Sequence, residues 1–268
     1  MGRIGKYTMV GALFFAVFLI ATIPATFVTN MVLDEKAPLK LYNVSGSVWS
    51  GKAGVMQLGD KQLQKFEWNL SALSLIFGTI KLDFSFKINK STAVGTVGIA
   101  GFGSGAITIE DTKLDIKSDD VQSVLPIPEP LVLIGPLKVN IDEVEISEEM
   151  VPVYAQAQAQ WRDSTAVIGD KQYDLGEFDL DAYSEDGKVF FTIKDLKKDD
   201  PIEAKLSSEI SEDGTLLVSG LLGTRETANK QLAGFARMLL QGKQQKVVNY
   251  KGSIKEPEKI LSGILTSK

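Results

Sequence analysis

From Leu41 to Ile88 the chain alternates apolar and polar residues with a period of two. Phe66, Trp68 and Leu70 are separated by Glu67 and Asn69. Ile80, Leu82, Phe84, Phe86 and Ile88 are separated by Lys81, Asp83, Ser85 and Lys87. That period places one set of side chains on each face of a half-buried strand, and no helix can use it. Just upstream, Val44–Gly51 (VSGSVWSG) sets Gly46 and Gly51 on either side of Trp49, as in a strand that bends or admits another backbone closely. The pattern predicts sheet, and nothing in it looks catalytic.

Composition narrows the chemistry. The 268 residues include no histidine and no cysteine. This excludes His-based acid/base work, Ser-His-Asp and Cys-His nucleophiles, disulfides and the usual structural zinc ligands. A net charge of −5 argues against a nucleic-acid partner, which would want a basic face. No cofactor or metal site is expected.

The N-terminal stretch carries Arg3 and Lys6 and then no charge from Tyr7 to Leu33. Thr8 to Val28 is 21 residues, enough to cross a hydrocarbon core of about 30 Å at about 1.5 Å per residue. Residues 1–6 are expected as a cytoplasmic stub, 7–29 as a membrane anchor and 30–40 as a connector. Cations before the span and Asp34 and Glu35 after it put the rest outside the cytoplasm. The rival reading is a cleaved signal peptide, for which Ala25 would be the last residue and Ile23 would hold the other small-residue position.

Beyond the anchor the chain divides into a first β half, 41–125, a proline-rich joint, 126–136, and a second β half, 137–254. Gly95 to Gly105 (GTVGIAGFGSG) lacks the Gly-Lys-Ser/Thr and the helix of a phosphate loop, and reads as a closely packed strand. A change of phase between Ile141 and Val144 predicts a bulge near Asp142–Glu143. Trp161 follows Trp49 by 112 residues, and the same offset relates Tyr42 to Tyr154, Val55 to Val167, Leu63 to Leu175 and Phe66 to Phe178. This predicts an internal duplication with both indoles in equivalent buried positions. Asp213–Gly214 between alternating runs predicts a hairpin. An amphipathic helix is expected over 224–241, capped by Thr224 and closed by Gly242, followed by a tail, 255–268.

Carboxylates are abundant at 142–145, 148–149, 179, 181 and 199–200. Most fall on polar strand phases or in turns, where a solvated face is the default, and no calcium-loop spacing surrounds Asp119–Asp120 or Asp199–Asp200, the pairs that could bind calcium. No catalytic residue is assigned.

Several segments resemble the N protein of the bacterial type II secretion system. They are the Val-x-Gly-x-Val-Trp-Ser-Gly block with Gly46, Trp49 and Gly51, the pair Glu67–Trp68, and Leu125–Pro128 with Gly135–Ile141. Gln160–Val167 with Trp161, the Asp213–Gly214 hairpin and the last Leu-rich helix follow in order. The resemblance implies a non-enzymatic inner-membrane subunit with a periplasmic β domain, whose partners are other secretion subunits. The expected fold is all-β: a mainly antiparallel, curved sheet from two related halves, with one N-terminal transmembrane helix and one C-terminal amphipathic helix. The expected role is a scaffold. The alternative is an envelope lipid- or amphiphile-binding protein of AsmA-like plan, its groove lined by Phe66, Trp68, Leu82, Phe84 and Phe86.

Overall fold

The structure, a computed structural model, describes residues 12, 14, 15, 18–27, 39–59, 61–99, 105–121, 131–168 and 170–266. The expected stub, parts of the anchor, most of the connector and 126–130 of the joint lie outside them. Among the described residues no helix is long and apolar enough to cross a membrane. Helical residues do occur between 12 and 27, and Phe14, Phe15, Phe18, Leu19, Ile20 and Phe27 among them are exposed.

The rest is one fifteen-stranded sheet in which every described pairing is antiparallel. The first half comprises β1 (Leu39–Tyr42), β2 (Ser45–Gly46), β3 (Ser50–Leu58), β4 (Lys61–Leu70), β5 (Ile80–Ile88), β6 (Ser91–Ile99) and β7 (Ile107–Ile116). The second comprises β8 (Leu131–Ile134), β9 (Leu137–Ile146), β10 (Pro152–Ile168), β11 (Lys171–Glu185), β12 (Lys188–Asp195), β13 (Ile202–Ile210), β14 (Thr215–Thr224) and β15 (Gln245–Ser253). Nearly every strand lies beside its neighbour in sequence.

No seam separates the halves, because β7 pairs along its length with β9, from Ile107 opposite Ile146 to Ile116 opposite Leu137. The described part of the joint belongs to the sheet as well. β8 and β9 both pair with β10, and together they act as one strand broken at Gly135–Pro136. Gly135 has φ +127°, and a β-carbon there would sit 2.8 Å from the Trp161 indole nitrogen and from the Arg162 carbonyl, so glycine is required.

Cross-strand partners share a face, and one row shows how far the apolar face extends. Phe86, Ala93, Leu114, Val139, Ala159, Leu180, Ile193, Leu206, Gly220 and Val248 follow one another in register from β5 to β15. The sheet curls around this face. Val151, in the β9–β10 turn, packs with Val189, Ile210, Leu216 and Val248, and its Cγ2 lies 3.3 Å from where a β-carbon would stand at Gly214, between β13 and β14.

Among the described residues beyond the N-terminal segment, the α-helices α1 (Ala72–Ile76), α2 (Lys230–Leu239) and α3 (Pro257–Thr266) accompany the sheet. The C-terminal amphipathic helix is present but starts later than the sequence predicts. Thr224 is the last, fully buried residue of β14, and the cap is Asn229, whose Oδ1 accepts from the Gln231 and Leu232 amides. Leu232 of α2 packs on Ala166 and Tyr173. The expected tail contains α3, whose Ile260 and Ile264 join the core around Val248. The Asp213–Gly214 hairpin forms, and the bulge falls where β9 passes from Ile141 to Glu143 against consecutive residues of β10. Gly95 and Gly98 lie in β6, where β-carbons would meet the hydroxyls of Thr112 and Thr108 at 1.9 and 2.3 Å.

Candidate functional site

The residues of the Val-Trp-Ser-Gly block meet at one place, the junction between the N-terminal helical segment and the first edge of the sheet. Proline has no amide hydrogen, so Pro24 cannot donate to the carbonyl four residues earlier, that of Ile20, which keeps only a long bond from the Ile23 amide at 3.4 Å within the segment. The Trp49 indole supplies a shorter one, Nε1 donating to Ile20 O at 2.8 Å. The Val48 amide donates to Ile23 O at 3.0 Å, and Pro24 forms a bridge with Ser47. Ala25 is buried beside this contact. The block thus seats the exit of the helix on the sheet.

The two glycines of the block have separate reasons. Gly46 has φ +93°, and a β-carbon there would fall 2.6 Å from the Ser50 carbonyl. At Gly51 a β-carbon would sit 2.2 Å from Cζ2 of Trp68, whose indole lies over the Gly51 backbone and donates to Val48 O at 3.1 Å. Trp68 therefore buttresses the same turn from the neighbouring strand.

The aromatic face lies beside this junction. Phe66 stacks with Trp68 at 5.7 Å between ring centroids, and Phe84 with Phe86 at 5.8 Å. With Leu82 they are half-buried on one face of β4 and β5, Trp68 paired with Phe84. A shallow depression there is lined by Gly51, Trp68 and Phe84 but also by Lys52, Glu67 and Asp83, so its walls are mixed.

The wholly apolar cavity lies elsewhere. It occupies about 410 Å³ between α2 and strands β10 to β14, with Trp161, Leu180, Leu206, Leu222, Phe235 and Leu265 among its walls. Trp161 contacts Phe178, and its buried Nε1 has no hydrogen-bond partner. Trp161 and Trp49 thus do not occupy the equivalent positions that the expected duplication requires. Trp49 lies in the turn before β3, Trp161 inside β10. The hairpin β3–β4 closes at Leu58 and Lys61, and β10–β11 at Ile168 and Lys171, a spacing two residues shorter than 112. Phe66 accordingly pairs with Ala53, and Phe178 with Trp161.

Two clusters of buried charge lie where the alternation did not single them out. Arg225 reaches Asp195 by an ion pair and donates to the carbonyls of Asp200 and Ile202 at 3.0 and 2.9 Å. With Asp200, whose Oδ2 accepts from the Glu177 and Lys197 amides, it pins the β12–β13 loop beside α2. Asp120 is the second. Its carboxylate accepts from Asn89 Nδ2, the Lys90 and Ser91 amides and Ser91 Oγ, at 2.6 to 3.1 Å. Burial pushes its pKa up, but these hydrogen bonds outweigh burial and hold it below the ordinary aspartate value. Both are self-satisfied clusters with no cleft between acid and base. Among the described residues no group of three or more carboxylates is placed to hold a metal ion.

The family model described as "Type II secretion system (T2SS), protein N" matches residues 37–249, from the start of the sheet into its last strand. A Type II secretion system protein N from Vibrio cholerae serotype O1 is 26% identical over 130 residues, covering 48% of this chain and 50% of the relative. One from Aeromonas hydrophila is 27% identical over 128 residues, covering 47% and 50%. The chain spans about half the length of these curated relatives. No solved structure matches it.

Proposed function

The chain belongs to the type II secretion system protein N family, and from that premise we propose that it is a non-enzymatic, membrane-anchored scaffold. Its N-terminus lies in the cytoplasm, its single span in the bacterial inner membrane and its sheet in the periplasm. There it binds other secretion subunits while folded proteins are exported. The observation that carries this reading is the junction of Trp49 with Ile20. A helix hydrogen-bonded to the edge of a sheet transmits position, which a scaffold needs and a freely tethered domain does not.

The same junction decides which edge is open. At the first edge β3 is covered by β1 and β2, with Pro24 bridged to Ser47 in the turn before it, short pieces of the kind that blunt an edge. At the other, the outer side of β15 pairs with no strand among the described residues, and Val247 on it is 62% exposed. An edge of nine residues accepts a partner strand through its main chain. A photoreactive amino acid at Val247 in the full chain should cross-link to other secretion subunits in cells, and one at Met238, exposed on α2, should not. Equal labelling from both, or none from either, removes β15 as the docking edge.

A further inference from the structure

Independently of any role in secretion, we propose that the cavity beneath α2 binds a single-chain anionic amphiphile, its hydrocarbon between helix and sheet and its head group at Lys246. At about 410 Å³ the cavity falls within the size of small-ligand sites, about 300–1,000 Å³. Every residue lining it is apolar. Water finds no partners in such a space, and hydrocarbon does. Its shape selects further. The walls run from Trp161 on β10 to Leu222 on β14, four strand spacings or about 19 Å. A partner helix about 10 Å across does not fit.

The head group is assigned by a charge that the apolar face does not explain. Lys246 is 2% exposed and points to the apolar face as the cross-strand partner of Leu222. Its Nζ donates to Leu265 O at 2.6 Å. Leu222 and Leu265 line the cavity and Lys246 itself does not, so its ammonium stands just beyond that end of the apolar wall. Capping the last turn of α3 uses one of three donors. Among the described residues no carboxylate pairs with it, and a buried cation is costly until an anion does. A fatty-acid carboxylate or a phospholipid phosphate would serve, each carrying a chain for the cavity.

The test uses the full chain in phosphatidylcholine nanodiscs with palmitic acid carrying a diazirine, and with the matching diazirine alcohol. After irradiation, adducts are mapped by peptide mass. The acid should label peptides containing Leu222 or Phe235. Lys246→Met should reduce that labelling about tenfold, the loss of one charge-assisted hydrogen bond, and leave the alcohol unchanged. Ala236→Phe, which fills the cavity from the helix side, should abolish both, and it tests the cavity even if Lys246→Met does not fold. Adduct masses from protein isolated from cells, carboxylate or phosphate, identify the natural source. Labelling confined to the N-terminal segment, or cavity labelling undiminished by Ala236→Phe, overturns the proposal. Equal loss of acid and alcohol in a folded Lys246→Met protein overturns the head-group assignment.

Discussion

Two tryptophans that look alike in sequence behave differently as single residues. The Trp49 indole replaces the donor that Pro24 lacks, so Trp49→Phe keeps the ring and loses one hydrogen bond, about 1 kcal/mol. Chemical denaturation should show that loss, with faster proteolysis near residue 23. Trp161 has a buried indole nitrogen with no partner. Trp161→Phe removes an unsatisfied donor worth about 1–3 kcal/mol, which offsets the lost ring volume, so stability should stay within about 1 kcal/mol of wild type. Trp161→Ala should cost about 3–5 kcal/mol. Asp120 carries the acid sensitivity. Its folded pKa is depressed, so its contribution is fully present above the unfolded value of about 3.9 and is lost as pH falls through the folded value. Asp120→Asn should be less stable than wild type at pH 7, and the gap should close in acid; a constant gap from pH 7 to pH 2 refutes this. None of these roles was legible in the residues' spacing, because each depends on a partner far away in sequence: Ile20 for Trp49, Gly135 for Trp161, Asn89 and Ser91 for Asp120.

Elements were far more legible. The alternation at 66–70 and 80–88 marks β4 and β5, the Asp213–Gly214 pair marks its hairpin, and the phase change after Ile141 marks its bulge. These signals are local, and in an antiparallel meander local signals suffice. The start of α2 was misplaced because Thr224 is a good capping residue in isolation. It is spent as the buried end of β14, and Arg225 is held by Asp195 instead of opening a helix. Asn229→Ala should therefore cost about 1 kcal/mol and lower helical circular dichroism, while Thr224→Ser should leave α2 intact. The helix α3 escaped notice because its sheet-facing side depends on a gap. Gly263 sits over the Tyr250 ring, where a β-carbon would be 2.1 Å from Cε2, and no helical stripe announces a glycine.

At the scale of the whole molecule, the anchor reading places everything after residue 29 outside the cytoplasm. A reporter active only in the periplasm, fused after Lys268, should be active, and the mature protein should retain Met1 or Gly2. A mature chain beginning near Thr26 would refute the anchor and free Ile20 from Trp49 altogether.

The order of the strands has a further consequence. Nearly every strand pairs with a near neighbour in sequence, and none of the described pairings joins distant parts of the chain. Most loop closures are therefore short, the stretches from β7 to β9 and from β14 to β15 being the longer ones, and contact order is low for a sheet of this size. A chain threaded through a membrane from its N-terminus can add hairpins one after another as it emerges. The growing edge is always the last strand delivered, and it is covered by the next before it meets another protein. Assembly hairpin by hairpin, in chain order, is built into the topology.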